Sequence, residues 1–586
     1  MQIELKTNSD PVQSLPQISP KIRNCLLENC SRKVAADFRK MRVYNWTRSD
    51  LSKNNIRNDI SKLTRKRIWS QAFSLSLNGK VNLNLTKTLP SLKRLRILHI
   101  DFSAESGGND QVNNGTLTIL STRIQSLKLL KGLNLNFENC KNVSNKNFSY
   151  FVSELSKCKL LRKLTLNTDS CKFKDKSLFS LGSTISKLKF LNSLQVNLDN
   201  FRTTEHGLGK FMNKTAKSKS ITHLNVDLHL SMKYDAASLV SFSLPQLKQL
   251  QVLKLDFSFC LNIGDEGVLA LGQSISQLIN LNTLKLSFQK CSQISNKGIE
   301  SLSEYIKELK ELCKLRLLFL NCIEATEKGL KTLTQNITHL NKLRHFNFSF
   351  GNWHVSDESF RDILHSISAI PQLKALKLVF ESHSPQSDGG IMVISDNLFK
   401  FINLLELSIQ VQSRFITDKG LKALSQNLGK INQLTHLSLD FHSKSKISDE
   451  GIVSLSQGVA QLSHLTEFEL VLVQPKQFSE KGMLHLTQSL SRSNQVLKTL
   501  KLKFYFCEGI DDKALEGLGK KLTKIRDLRK LKLMYFACPN LTDQGLFALT
   551  KSISRSPHHI QAYLNFVVCA GISEKGNLIL REFREK

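Results

Sequence analysis

Residues Leu250–Leu281 read LQVLKLDFSFCLNIGDEGVLALGQSISQLINL, and this stretch decides the fold. Leu253, Leu255 and Phe257 alternate with polar residues, the period of a strand with one buried face. A turn follows at Cys260 and Ile263, and Asp265-Glu266-Gly267 marks a helix start. Val268, Leu271, Ile275 and Leu278 then recur at helical spacing. The next copy begins at once with Leu284, Leu286, Phe288, Cys291, Ile294 and Gly298. One strand, one turn and one helix per unit predict a solenoid.

The same phrase, Leu-x-x-Leu-x-Leu-x-Phe, runs through most of the chain. Its second apolar position falls at Leu98, Leu133, Leu164, Leu194, Leu224, Leu253, Leu284 and Leu315. It continues at Phe346, Leu376, Leu407, Leu437, Phe468, Leu500 and Leu531, and in weaker form at Ala562. About 16 repeats of about 31 residues follow from this spacing. A Gly/Asn-rich insertion, Ser103–Gly115, reads as a surface loop. Polar helix starts recur at Asp175, Asp418, Asp449 and Asp543, where Ser, Thr or Asp can cap free N–H groups and Asp suits the positive end of the dipole. A last helix over Glu574–Lys586 is expected to turn Leu578, Leu580 and Phe583 inward as a C-terminal cap.

Residues 1–67 differ. Residues 1–20 are polar with three prolines and read as a disordered tail. Lys21–Arg67 holds fourteen Lys/Arg against four Asp/Glu and reads as a basic helical cap, with the solenoid filling 68–586. The sheet is expected to start near Trp69 and Phe73.

The chain has 586 residues and a formal charge of +34. Such an excess attracts polyanions such as nucleic acid, acidic lipid or acidic protein, although dispersed surface lysines that keep a long solenoid in solution give the same total. The N-terminus lacks an apolar signal segment, and no window approaches eighteen continuous apolar residues, so no membrane insertion is expected. The expected setting is cytoplasmic or nuclear, with reduced thiols.

The string Leu255-x-Phe257-x-x-Cys260-x-x-Ile263-x-Asp265-x-Gly267-Val268-x-x-Leu271 resembles the leucine-rich repeat. It is most similar to the cysteine-containing and ribonuclease-inhibitor-like subtypes. Ile294-Ser295-Asn296-Lys297-Gly298, Ile416-Thr417-Asp418-Lys419-Gly420 and Ile447-Ser448-Asp449-Glu450-Gly451 repeat the words. The chain departs from the family in its longer period, its extended strand and its frequent Phe. The resemblance implies an α/β horseshoe with a parallel sheet on the concave side, helices outside, and protein binding across the concave face. Residues 15–46, with Leu15-Pro16, Ile22, Leu26, Phe38, Val43 and Trp46, bear a weaker resemblance to the F-box, which docks a substrate receptor onto a ubiquitin-ligase adaptor. The acidic residue that usually follows Leu-Pro is missing and the basic content is unusual, so a plain helical cap is the preferred reading.

Cysteines recur in register at Cys140 and Cys171, at Cys260, Cys291 and Cys322, and at Cys507, Cys538 and Cys569. Neighbouring strands stand about 4.8 Å apart, so these thiols should form ladders. They read as buried turn residues, because no C-x-x-C pair or His cluster suggests a metal. The Phe stripe at Phe257, Phe288, Phe319, Phe350 and Phe380 should point into the core by the two-residue period.

Enzyme motifs are missing: Gly519-Lys520-Lys521 lacks the rest of a phosphate-binding loop, and Gly207-Leu208-Gly209 is too short for a dinucleotide fingerprint. No cofactor is expected.

The outward strand positions carry the candidate site. The first column runs from neutral residues (Asn134, Thr165, Gln195, Asn225) into Lys254, Lys285, Arg316 and Lys377, beside apolar Leu318 and Val379. A second basic cluster, Lys501, Lys503, Lys530 and Lys532, lies near Met534 and Tyr563. Exposed apolar residues among charges suit a protein-binding centre. The reading is a non-enzymatic scaffold for an acidic protein partner. The alternatives are an F-box-type ubiquitin-ligase subunit and a nucleic-acid binder acting through the basic N-terminal segment.

Overall fold

A computed structural model describes residues 43–46, 74–78, 94–103, 113–199, 203–229, 234–351, 355–381, 388–412, 416–442, 446–475, 477–493 and 496–585. The chain forms two compact units, residues 1–293 and 294–584.

The first unit opens with strands β1 (Val43–Trp46), β2 (Ser74–Asn78) and β3 (Ile97–Asp101). Helices and strands then alternate: α1 (Asn114–Ile124), β4 (Gly132–Asn136), α2 (Asn145–Leu155), β5 (Lys163–Asn167), α3 (Asp175–Lys187), β6 (Ser193–Asn197), α4 (Glu205–Ala216), β7 (His223–Asp227), α5 (Ala236–Ser241), β8 (Val252–Asp256), α6 (Asp265–Ser276) and β9 (Thr283–Ser287). Every strand pairs in parallel with the next.

The second unit repeats the plan: α7 (Asn296–Ile306), β10 (Lys314–Leu320), α8 (Glu327–Ile337), β11 (His345–Gly351), α9 (Asp357–Ser368), β12 (Ala375–Glu381), α10 (Gly389–Asn397), β13 (Glu406–Gln412) and α11 (Asp418–Leu428). It continues with β14 (His436–His442), α12 (Asp449–Ala460), β15 (Glu467–Val473), α13 (Glu480–Ser493), β16 (Thr499–Tyr505), α14 (Asp512–Leu522), β17 (Lys530–Phe536), α15 (Asp543–Ser554), β18 (Gln561–Val567) and α16 (Glu574–Glu585). Its strands also pair in parallel, each with its successor. Both units are α/β repeat solenoids.

Alternation in the strands and the helical stripe fill one core. In the opening stretch Leu253, Leu255, Phe257, Cys260, Val268, Leu271 and Ile275 are all fully buried. The Phe stripe is core as expected, with Phe257 and Phe288 stacked at 5.6 Å.

Two ladders tie each repeat to its neighbour. At the helix starts, a Ser or Thr caps its own helix, as Ser448 does to the Glu450 N–H at 3.1 Å. The Asp beside it serves the following repeat instead. Asp418 accepts from the Ser448 N–H at 2.8 Å, and Asp449 accepts from the Ser479 N–H at 2.8 Å and the Gly482 N–H at 3.0 Å. Asp175, Asp388 and Asp512 do the same for Thr204, Thr417 and Thr542. This contact explains the helix-start glycine, since a Cβ on Gly482 would sit 2.5 Å from the Asp449 carboxylate. The expected cap is therefore shared between repeats.

The second ladder runs through the cysteine turns. Left-handed residues stand directly before eight of the cysteines, Asn139, Phe259 and Val568 among them. This conformation is costly for a β-branched residue such as Val568, and surrounding bonds must hold it. The turn extends the ladder, with the Phe259 N–H donating to the Gln289 carbonyl at 2.7 Å. Six of these thiols then donate to a strand-end carbonyl of the repeat before, Cys171 to Phe137 at 3.0 Å and Cys260 to Leu228 at 3.2 Å among them, whereas Cys507 donates to Tyr505 of its own strand. None of the ten described cysteines forms a disulfide. Burial pushes the Cys171 thiol up to about 12, so it is a packing group and a poor nucleophile.

Two end features differ from expectation. In α16, Leu580 is buried and Leu578 is 54% exposed. Residues two apart on a helix do not share a face, so only one of them can pack inward. At the other end, Val43–Trp46 forms β1 in parallel register with β2, so strand structure begins inside the segment read as a helical cap. The rest of that cap, the rest of the F-box-like segment, the N-terminal tail, and residues 104–112 of the insertion lie outside the described residues. No described helix is long and apolar enough to cross a membrane.

Candidate functional site

The sheet face turned away from the helices carries the residues picked from sequence, and it differs between the units. In the first unit, Asp101, Asn136, Asn167, Asn197, Asp227 and Asp256 form one column by register. Each of these side chains accepts the backbone N–H two residues on, as Asn197 does from Asp199 at 2.8 Å and Asp101 from Ser103 at 3.0 Å. The others bond at 3.1–3.2 Å. Such a turn offers the backbone an alternative to the sheet ladder. The Asn and Asp side chains of this column are therefore already engaged in closing their own strands.

Lys254 and Lys285 sit side by side in register on β8 and β9. Lys254 is exposed, whereas Lys285 pairs with Asp256 at 3.0 Å. The Ser258 hydroxyl also donates to Asp256, at 2.6 Å. Burial works to raise the Asp256 carboxyl, but Ser258 and Lys285 outweigh it and hold the group below the usual value. The neighbouring Asp227 goes the other way, raised by burial and by the Asp256 charge.

In the second unit the equivalent column reads Leu318, Ser349, Val379, Gln410, Asp440, Val471, Lys503, Met534 and Asn565. Leu318 is 4% exposed and Val379 is 6% exposed. This corrects the expectation that they form an exposed apolar surface. Each stands within a seven-residue strand, with face-sharing neighbours two residues before and after and on the following strand about 4.8 Å away, which crowds out water.

Arg316 is exposed, and Lys377 is half-buried on the same face with Asn347 between them in register. Burial and the Arg316 charge lower the Lys377 pKa.

The second basic cluster is partly neutralised within the protein. Lys503 pairs with Glu469 at 2.5 Å, and Lys501 pairs with Glu467 and also lies 3.9 Å from Glu469. Neither glutamate was singled out from sequence, although both stand in outward positions of β15 and were legible there. Lys530 is exposed, and Lys532 lies over the Tyr563 ring at 5.3 Å.

Tyr563 is 50% exposed and stands beside Lys532 by register. Around it the final three strands hold an aromatic and aliphatic surface. The Tyr505 hydroxyl donates to Met534 Sδ at 3.1 Å, and Phe506 meets Phe536 edge-on at 5.4 Å. Val567 and Val568 are exposed at 37% and 70%. Sequence reading found Tyr563 and Met534 and missed Phe506 and Val568. Both of these occupy left-handed turn positions, where the strand's two-residue period no longer says which way a side chain points.

Among the described residues no group of three or more His, Cys, Asp or Glu could hold a metal ion. Compared with protein-family models and with curated proteins, the chain matches none. The site is a strand-built, largely pre-positioned face with exposed apolar and cationic groups, suited to recognition of an extended polar and apolar partner surface.

Proposed function

We propose that the protein is a non-enzymatic interaction scaffold that holds an acidic protein partner on the helix-free face of its sheet, centred on β16–β18. The supporting observation is exposed Tyr563 with the Lys532 ammonium 5.3 Å over its ring and exposed Lys530 at the start of the neighbouring strand, together with exposed Phe506, Val567 and Val568 toward the other end of the same three strands. An apolar centre with a charged rim is the common anatomy of a recognition surface, and tyrosine is a frequent anchor in one. Acidic side chains would pair with the exposed cations and be steered to them. Arg316 and Lys377 extend the cationic character of the face; Lys501 and Lys503 do so less, because each is already paired. The leucine-rich-repeat subtype and the horseshoe curvature implied by the motifs are part of this proposal.

Lys530→Glu, Lys532→Glu and Tyr563→Ala combined should abolish capture of the partner without changing thermal unfolding, since none of the three is core. Arg316→Glu with Lys377→Glu should weaken capture less. Wild-type capture by the first variant would sink the proposal.

A further inference from the structure

The first unit carries a second surface, on the turns that lead from its first five helices, α1–α5, into the following strands. These turns occupy residues 126–132, 156–163, 186–193, 217–223 and 247–252, and together they hold eleven Lys or Arg and no Asp or Glu. One lysine recurs at the same place in every turn: Lys128, Lys159, Lys189, Lys219 and Lys248, all exposed. The following residue in the first three turns is Leu129, Leu160 or Phe190, exposed at 40%, 37% and 55%. Phe242, next to the end of α5, and Ile279, in the next turn, are more exposed still, at 77% and 73%.

The turns share one backbone geometry. Leu130, Leu161, Leu191 and Leu250 each donate to the residue three before, at 2.9–3.1 Å. Ladder bonds tie successive turns together, such as Arg162 N–H to the Lys131 carbonyl at 2.7 Å and Asn192 N–H to Arg162 at 2.9 Å. The lysines and apolar side chains therefore project from equivalent points in a row.

Neutralising the helix C-termini accounts for a cation or two per turn. It does not account for Leu, Phe and Ile held in water between them. Phe190 and Phe242 could stack on bases, but aliphatic Leu129, Leu160 and Ile279 give nothing to phosphates or to bases, so a nucleic acid would leave those three unused. At an anionic bilayer both halves are used: lysines meet headgroup phosphates, and the apolar tips enter the boundary below them.

We propose that this rim docks the protein peripherally onto an anionic phospholipid surface. The proposal stands apart from the protein-binding face, which uses other residues in the other unit.

The test is co-sedimentation of the full chain with phosphatidylcholine vesicles, with and without about a third phosphatidylserine. The protein should bind the anionic vesicles and not the neutral ones. Lys128→Glu with Lys159→Glu, Lys189→Glu and Lys219→Glu should lower partitioning by at least about 100-fold. Leu160→Ser with Phe190→Ser should lower it roughly 10-fold and leave its salt dependence unchanged. All six positions are exposed, so the variants should keep the wild-type circular dichroism. Anionic-vesicle binding that survives the lysine variant would assign the contact elsewhere, residues 21–67 included, and overturn the proposal. So would tighter binding of single-stranded DNA that depends on the same four lysines.

Discussion

Strands β3–β8 stop after five residues, whereas β10–β18 run for seven. At the fifth position the first group carries Asp or Asn throughout, each bonded to its own backbone two residues on. The second group carries Leu, Ser, Val, Gln, Lys or Met there in seven of nine strands, and Asp440 turns to His442 at 3.1 Å instead. β9 ends after five residues with Ser287 in that place, so the Asx turn is one way of closing a strand and not a requirement. The difference teaches that one column of one sheet does two jobs. Early in the chain it ends strands, and later it builds an extended, partly apolar face. The turns at the helix ends diverge as well. The first five in the first unit are basic and free of acids, while in the second, between residues 306 and 467, acids interleave and pair, as Lys342 does with Glu311 at 2.6 Å.

The sharpest way to break the comparison is to truncate equivalent residues of the column. Leu318→Ala should destabilise its repeat by about 2–4 kcal/mol, as a buried leucine does. Asn167→Ala should cost only about 1 kcal/mol, the worth of one turn hydrogen bond. Hydrogen exchange reads the two locally, which suits a repeat array better than one global transition. Equal losses would erase the distinction.

The Asp ladder should be common to both units. Asp449→Ala in the second should cost about 1–3 kcal/mol, since it strands part-buried donors of the next helix start, and Asp175→Ala in the first about 1 kcal/mol, since its Thr204 partner is exposed. Loss of protection at α13 or α4 alone would sharpen this, and loss spread over many repeats would count against it.

Internal pairing in the second unit gives a functional prediction. Glu467→Gln with Glu469→Gln frees Lys501 and Lys503, and capture of an acidic partner should rise several-fold, the scale of exposed ion pairs. Unchanged capture would place those lysines outside the contact.

The smallest effect concerns pH. The Asp440 carboxylate bonded to His442 raises its pKa, so its contribution is complete below the unfolded histidine's value of about 6.5 and is lost as pH rises through the higher folded value. His99 in the first unit is lowered by burial, against a partial pull from Asp101. Its contribution is present above about 6.5 and is lost as pH falls through the lower folded value. Each should stay under about 1 kcal/mol for side chains this exposed. Urea unfolding followed from about pH 5 to pH 8 should lose opposite slopes in His442→Gln and His99→Gln.

Much of the fold was legible because both periods are carried by residues that repeat without interruption. Leu253, Leu255, Phe257 and Val268 announce strand and helix, and all four are buried. The site was less legible because exposure is a property of neighbours. Leu318 and Tyr563 both stand in outward positions, yet one is 4% exposed and the other 50%. Lys254 and Lys285 look alike in the sequence, yet only Lys285 has Asp256 within reach at 3.0 Å. Phe506 and Val568 were hidden because a left-handed turn redirects them.

The account's central claim is that the exposed end of the face, β16–β18, is where a protein partner lies. A photo-crosslinking side chain placed at position 563 tests it directly, against the same side chain at position 165 on the Asx-closed part of the sheet. The expected result is a discrete crosslinked acidic protein from position 563, lost when Lys530→Glu and Lys532→Glu are added, and none from position 165. The same partner crosslinking equally from both positions, or only from 165, would contradict the account.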